Sequence, residues 1–205
     1  MIYIFTLRTM RAFTILLFIL PLHCICFAQS AKEEKFNTTI KQVVLAFSKQ
    51  DNAAVSKLIN KKIGVYQLYR EGVYDNIKKW NTLNFSDNSF PAVLLNSSKG
   101  ILLSALFYST LPVYNCTKET WSKKGLFTDT TKTDHSLSKS CTILNHDEAH
   151  RIPKQKIEFY FALESKSRRI VLQDRKGKEL VFYLTWIDEN WFLTIIDNAS
   201  SDCSV

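Results

Sequence analysis

The chain has 205 residues, a formal net charge of +8 and five glycines. Once a leader is set aside, its length is that of one domain. Its basic residues come as scattered pairs (Lys61-Lys62, Lys78-Lys79, Lys123-Lys124, Arg168-Arg169, Arg175-Lys176), the pattern of a solvated surface. Dispersed charge of this kind excludes a nucleic-acid groove, and so few glycines leave no loop to cradle phosphate.

Residues 1–30 read MIYIFTLRTMRAFTILLFILPLHCICFAQS. Arg8 and Arg11 make a positive start, Ala12 to Leu22 an apolar stretch, and Cys26-Phe27-Ala28 offers small residues at both positions a signal peptidase reads. We read 1–28 as a secretory signal peptide cleaved after Ala28, and the protein as exported, periplasmic or secreted. A retained anchor competes with this reading. Pro21 and His23 interrupt the run, however, and a spanning helix takes about 20 apolar residues, so no permanent membrane span is expected after cleavage. Lipid anchoring at Cys24 or Cys26 is a third reading, opposed by His23 and Ile25 where a lipobox carries small residues.

Residues 29–205 are expected to form a single α+β domain. Phe36, Ile40, Val43, Val44 and Phe47 repeat at helical spacing, with Lys41, Gln42, Ser48 and Lys49 turned outward. Asp51 or Asn52 caps a second, shorter helix bearing Val55, Leu58 and Ile59, and Gly64 ends it. Val65 to Arg70 alternates and reads as a strand. Residues 72–97 read as a long connection decorated with Trp80, Phe85 and Phe90. ILLSALFYSTLP, Ile101 to Pro112, is apolar almost all round and predicts a buried helix or a central strand. VYNCTKETW predicts another strand, and 125–156, rich in Thr, Ser, Asp and Lys, an irregular insertion.

Strands are expected to resume with KIEFYFALE, placing Ile157, Phe159, Phe161 and Leu163 on one face and Glu158, Tyr160, Ala162 and Glu164 on the other. RRIVLQD predicts a further strand, and Lys176-Gly177 a turn. In the closing hairpin Leu180, Phe182, Leu184 and Trp186 share one face, and Val181, Tyr183, Thr185 and Ile187 the opposite one. DEN makes the turn, and Trp191, Leu193 and Ile195 then alternate with Phe192, Thr194 and Ile196. Both faces are apolar, so the hairpin is expected to be covered on both sides. The predicted architecture is a set of N-terminal helices packed on a strongly bent, mostly antiparallel sheet.

This order of elements, with WIDENWFLTIID as a Trp-bearing closing hairpin, resembles the nuclear-transport-factor-2-like superfamily. The resemblance implies a cystatin-like α+β cone whose curved sheet wraps long helices around a pocket. That superfamily includes enzymes and pure binding modules, so the fold implies no particular activity.

After the leader, three cysteines remain: Cys116, Cys141 and Cys203. An oxidising compartment permits one disulfide and leaves one thiol. Cys116–Cys141 would close a loop worth about 3 kcal/mol on the chain-entropy model, whereas Cys203 paired with either would staple the tail. All three pairings, and a fully reduced set, stay open. Five Asn-x-Ser/Thr sequons, at Asn37, Asn84, Asn96, Asn115 and Asn198, matter only in a glycosylating pathway.

HDEAH places His146 and His150 one helical turn apart, as zinc ligands would be, with Asp147 where H-E-x-x-H carries its glutamate and His135 eleven residues upstream. Pro153 keeps any such helix short. No G-x-S-x-G is present, no cysteine has protease flanks, and no cofactor motif appears. Tyr66, Tyr160, Tyr183, Thr185 and Thr194 are polar-tipped residues among apolar strand neighbours, and would suit a sheet-lined pocket for a small amphipathic ligand. Three functions are therefore weighed. The first is a non-catalytic envelope module binding a small molecule or an envelope protein in that pocket. The second is a metal-dependent hydrolase using HDEAH, and the third a purely structural or interaction domain.

Overall fold

In the computed structural model, which describes residues 30–87, 98–147 and 151–204, residues 30–49 form helix α1. The expected leader, with Cys24 and Cys26, lies outside the described residues, as does His150. On α1 the predicted stripe is buried: Phe36, Ile40, Val43, Val44 and Phe47 are each at most 1% exposed. Each stabilises the fold by roughly 1.5–3 kcal/mol before chain entropy is subtracted. Asp51 then takes an extended conformation, and its carboxylate accepts from the Ala54 N–H at 2.9 Å, capping helix α2, Asn52–Lys57. No helix among the described residues is long and apolar enough to cross a membrane.

Among the described residues nine strands follow. They are β1 (Val65–Glu71), β2 (Tyr74–Trp80), β3 (Leu106–Tyr108), β4 (Tyr114–Asn115), β5 (Thr120–Trp121), β6 (Gly125–Thr128), β7 (Ser167–Gln173), β8 (Glu179–Ile187) and β9 (Asn190–Asp197). Between β6 and β7 run two more helices, α3 (Ser136–Asp147) and α4 (Lys154–Glu164). Seven strands form one sheet in the order β2-β1-β9-β8-β7-β6-β3, and β4 and β5 pair separately as a small hairpin. Neighbours are antiparallel except β1 with β9 and β3 with β6, so the fold is α+β with a mixed, mostly antiparallel sheet.

The closing hairpin is the middle of this sheet and is apolar on both faces because both are covered. Leu180, Phe182 and Leu184 pack with the α1 stripe and with Val55, Leu58 and Ile59. Tyr183 joins Tyr66 and Ile195 beneath Leu137 and Cys141 of α3 and Tyr160 and Leu163 of α4. Val181 and Val171 meet Trp121 of the small hairpin. The alternation expected along β9 breaks at one point. Tyr183 pairs with Ile195 while Leu184 pairs with Leu193, so Thr194 is the extra residue of a bulge. The bulge puts Ile195 on the α3–α4 face and both Leu193 and Ile196 on the α1 face.

Five segments differ from their sequence reading. Tyr74–Trp80, inside the expected long connection of 72–97, is strand β2 paired with β1, and VYNCTKETW is the β4–β5 hairpin and not one strand. KIEFYFALE is helix α4 and not a strand: Tyr160, Leu163 and Glu164 are its buried residues, while Phe159 and Phe161 are 41% and 54% exposed. Ile157, Tyr160 and Leu163 also stand at i, i+3 and i+6, one face of a helix, and Pro153 just before the run favours a helix start. The stretch 125–156, expected to be irregular, supplies β6, α3 and the start of α4. The apolar run from Ile101 is neither a buried helix nor a central strand. It leads into β3 at the end of the sheet, with Leu102 54%, Leu103 41% and Phe107 51% exposed.

Gly64 links α2 to β1 at a φ of +76°, and a β-carbon there would lie 2.5 Å from the Trp80 carbonyl oxygen. Gly64→Ala therefore meets both left-handed strain and a backbone clash. We expect a loss of about 2–3 kcal/mol, read as a lower urea midpoint with an unchanged slope.

Candidate functional site

The five residues expected to line a pocket sit in the layer between the sheet and α3–α4. Tyr66, Tyr160, Tyr183, Thr185 and Thr194 are all at most 6% exposed. Tyr66 meets Tyr160 edge to face, with ring centres 5.1 Å apart. Thr194 and Thr185 share a hydrogen bond of 2.5 Å, Thr185 shares another of 2.6 Å with Ser167, and the Ser167 hydroxyl donates to the Leu163 carbonyl. The threonine hydroxyls are thus spent inside the protein and do not face a ligand. Burial raises the Tyr183 phenol well above its ordinary pKa, which keeps it neutral.

Beside Tyr183 lies an ionic cluster that sequence reading missed. Arg169 donates through Nη1 to Asp134 at 3.0 Å, and through Nη2 to Asp197 at 2.8 Å and to the Ser200 hydroxyl at 2.6 Å. The Asp197 side chain is fully buried and also accepts from the Ala199 and Ser200 N–H groups. Every named bond here fastens the C-terminal turn or the α3 approach onto the sheet. The cluster is structural.

Glu164, the last residue of α4, is also fully buried, and its carboxylate accepts from the N–H groups of Leu137 and Ser138 and from the Ser138 hydroxyl. It therefore caps α3 from another helix. Burial raises its pKa, and its hydrogen bonds to Ser138 and Leu137 offset only part of that. Below the ordinary value of 4.5 the acid is protonated in both folded and unfolded chains. As pH climbs from there through the raised folded value, the unfolded chain ionises first, and the contribution of Glu164 to stability is lost. Urea midpoints of the wild type and Glu164→Gln between about pH 4 and pH 8 should show the wild-type advantage shrinking as pH rises. A constant difference would contradict this account of Glu164.

Of the three candidate histidines, the two described ones, His135 and His146, do not come together. His135 precedes α3 and stacks on Phe161 at 4.3 Å, whereas exposed His146 lies in the helix's last turn, where it bonds Asp147. Eleven residues of helix put them about 16 Å apart. Among the described residues no three His, Cys, Asp or Glu side chains are grouped to hold a metal. Of the cysteines, Cys116 in the β4–β5 hairpin is bonded to Cys203 in the tail. Cys141 is free and on the buried face of α3, and burial pushes its thiol up to about 11, so it is protonated and unreactive at neutral pH.

Open concavity lies instead at the surface, in a cleft of about 360 Å³ where α1 and the end of α2 meet β9, and in a larger one at the β3–β6–β7 end of the sheet. This larger cleft, of about 520 Å³, is lined by Leu102, Leu103, Phe107, Lys124, Gln173 and Arg175, among others. A smaller one of about 290 Å³ shares Leu103, Ser104 and Ala105 with it and reaches Lys41 and Tyr108. Gly125 helps keep the larger cleft open: a β-carbon there would stand 3.1 Å from the Phe127 ring and 3.5 Å from that of Phe107. Those two rings stack with centres 5.4 Å apart. Gln173 pairs with Gly125 on one side and Glu179 on the other, is 6% exposed, and keeps its Oε1 without a hydrogen-bond partner. The Asp174 carboxylate, by contrast, is taken up by the N–H groups of Leu102, Lys176 and Lys178. That leaves Lys124 and Arg175, both exposed, as the cleft's uncommitted charges.

The cleft can hold an apolar group against Leu102, Leu103 and Phe107, attract an anion, and offer one buried acceptor. In the sequence Lys124 and Arg175 are named only as parts of solvated basic pairs, and Leu102, Leu103 and Phe107 only within a run expected to be buried. The one available signal was Gln173, a polar residue closing the apolar run of β7. Compared with protein-family models, curated proteins and solved structures, the chain matches none.

Proposed function

We propose that the protein is a non-catalytic binding module of an exported compartment, and that it binds its partner at the β3–β6–β7 edge and not inside the sheet. The contrast between the two places supports this. The interior tyrosines are packed together and the threonines bonded to each other, while the edge cleft combines exposed apolar side chains, exposed cations and a buried amide oxygen without a partner among the described residues. A volume of about 520 Å³ falls within the range of small-molecule sites. Export is supported by the signal-like leader and by the Cys116–Cys203 bond, which forms and persists in oxidising surroundings. In a nuclear-transport-factor-2-like cone the strongly bent sheet would offer its hollow to the ligand. Here α1 and α2 cover one face of the sheet and α3 and α4 the other, so we move the ligand to the edge. The hydrolase alternative loses His135 as a third ligand through its separation from His146, while its His146–His150 pair extends outside the described residues.

The test is amide chemical-shift mapping of the mature protein with indole and benzoate as probes. Shifts gathered on residues 102–107, 124–125 and 173–175 support the edge site. Shifts gathered around Tyr66, Tyr183 and Thr194, or none at all, would overturn it.

A further inference from the structure

Three features of the edge cleft each ask for a different part of a ligand. Leu102, Leu103 and Phe107 are 54%, 41% and 51% exposed, side chains whose cover by an apolar group would be favourable. Lys124 and Arg175, on the turns before β6 and after β7, bring two positive charges to the same cleft, and its one carboxylate, Asp174, is occupied by three backbone N–H groups. The Gln173 side chain, more than nine-tenths buried, lacks a donor for Oε1. An unmet buried acceptor is costly, and a ligand N–H would relieve that cost. An apolar side chain, an anion and an amide N–H occur together on the last residue of a peptide chain. A fatty acid supplies the first two and lacks the N–H.

Resting on the edge-site reading above, we infer that the cleft recognises the free C-terminus of a peptide or protein whose last side chain is apolar. Lys124 and Arg175 attract the terminal carboxylate, the Gln173 carbonyl accepts from the terminal amide N–H, and Leu102, Leu103 and Phe107 cover the side chain. β3 ends the sheet, with β6 as its one partner strand among the described residues, so an extended peptide can run alongside it.

The experiment is fluorescence anisotropy with a fluorescein-labelled pentapeptide ending in phenylalanine with a free carboxylate, its C-terminal amide, and decanoate as competitor. The free acid should bind more tightly than the amide by about tenfold or more, and Lys124→Glu with Arg175→Glu should abolish that preference. Gln173→Leu should weaken the peptide while leaving the thermal midpoint unchanged or higher, and decanoate should compete poorly. Equal binding of acid and amide, or decanoate competing as well as the peptide, would overturn the C-terminal assignment while leaving an edge site that indole and benzoate mapping confirms. Absence of peptide binding would overturn it as well. Failure of the mapping itself would remove the edge site altogether.

Discussion

Arg169→Met should destabilise the protein by about 3–5 kcal/mol, because it leaves a fully buried Asp197 and a half-buried Asp134 facing an apolar side chain. The cost is that of stranded carboxylates and not of a lost attraction, and this distinction can be tested. Asp197 keeps its bonds from the Ala199 and Ser200 N–H groups in the variant, but these do not neutralise it. Adding Asp197→Asn to Arg169→Met should therefore restore a good part of the loss, a coupling that independent sites would not show. Arg169→Lys should fall between wild type and methionine, since it keeps the charge but cannot reach Asp134 and Asp197 with one planar fork. Urea unfolding of the four proteins checks the set. A loss below about 1 kcal/mol for Arg169→Met would mean that the cluster is solvated and does not fasten the tail.

The second large effect belongs to the disulfide. Cys116 and Cys203 are 87 residues apart in sequence, and the bond joins the small β4–β5 hairpin to the end of the chain. On the chain-entropy model a loop of that length contributes about 4–5 kcal/mol, and measured losses on removing native disulfides run from about 2 to 5. The double variant Cys116→Ser, Cys203→Ser should lose stability in that range. Its tail should become sensitive to protease beyond Ser200, because among the described residues Arg70 to the Asp202 carbonyl and Ser201 to Glu179 are the side-chain bonds left to hold that part to the domain. Intact mass under non-reducing conditions should show one disulfide, with Cys141 slow to alkylate until the protein unfolds. Unchanged midpoints on reduction would contradict the staple.

Patterns set by neighbours in the chain were legible in the sequence; those set by neighbours in space were not. The α1 stripe and the two-faced closing hairpin could be read because Phe36 to Phe47 and Leu180 to Ile187 carry their burial in their own spacing. The faces of Ile195 and Ile196 escaped because the bulge at Thr194 changes the face of each residue after it, and a bulge leaves no mark on the alternation. Segment 157–163 was misread because its apolar residues fit both periods, and half-exposed Phe159 and Phe161 imitate an inward face. The run from Ile101 was read as buried on apolar content alone, whereas its place at the last strand of the sheet leaves Leu102 and Phe107 in water. The pairing of Cys116 with Cys203 depends on where the small hairpin meets the tail. The unmet amide of Gln173 likewise depends on Gly125 and Glu179 arriving from other strands.

A closed interior and an open edge together are what place the binding surface, and amide hydrogen exchange at single-residue resolution addresses both at once. Phe182 to Thr185 and Leu193 to Ile196 should exchange slowest in the molecule, at rates set by global unfolding, while Leu106 to Tyr108 should exchange faster by several orders of magnitude. Fast exchange in the closing hairpin, or protection in Leu106 to Tyr108 equal to it, would contradict the closed layer and the exposed edge on which the proposed site depends.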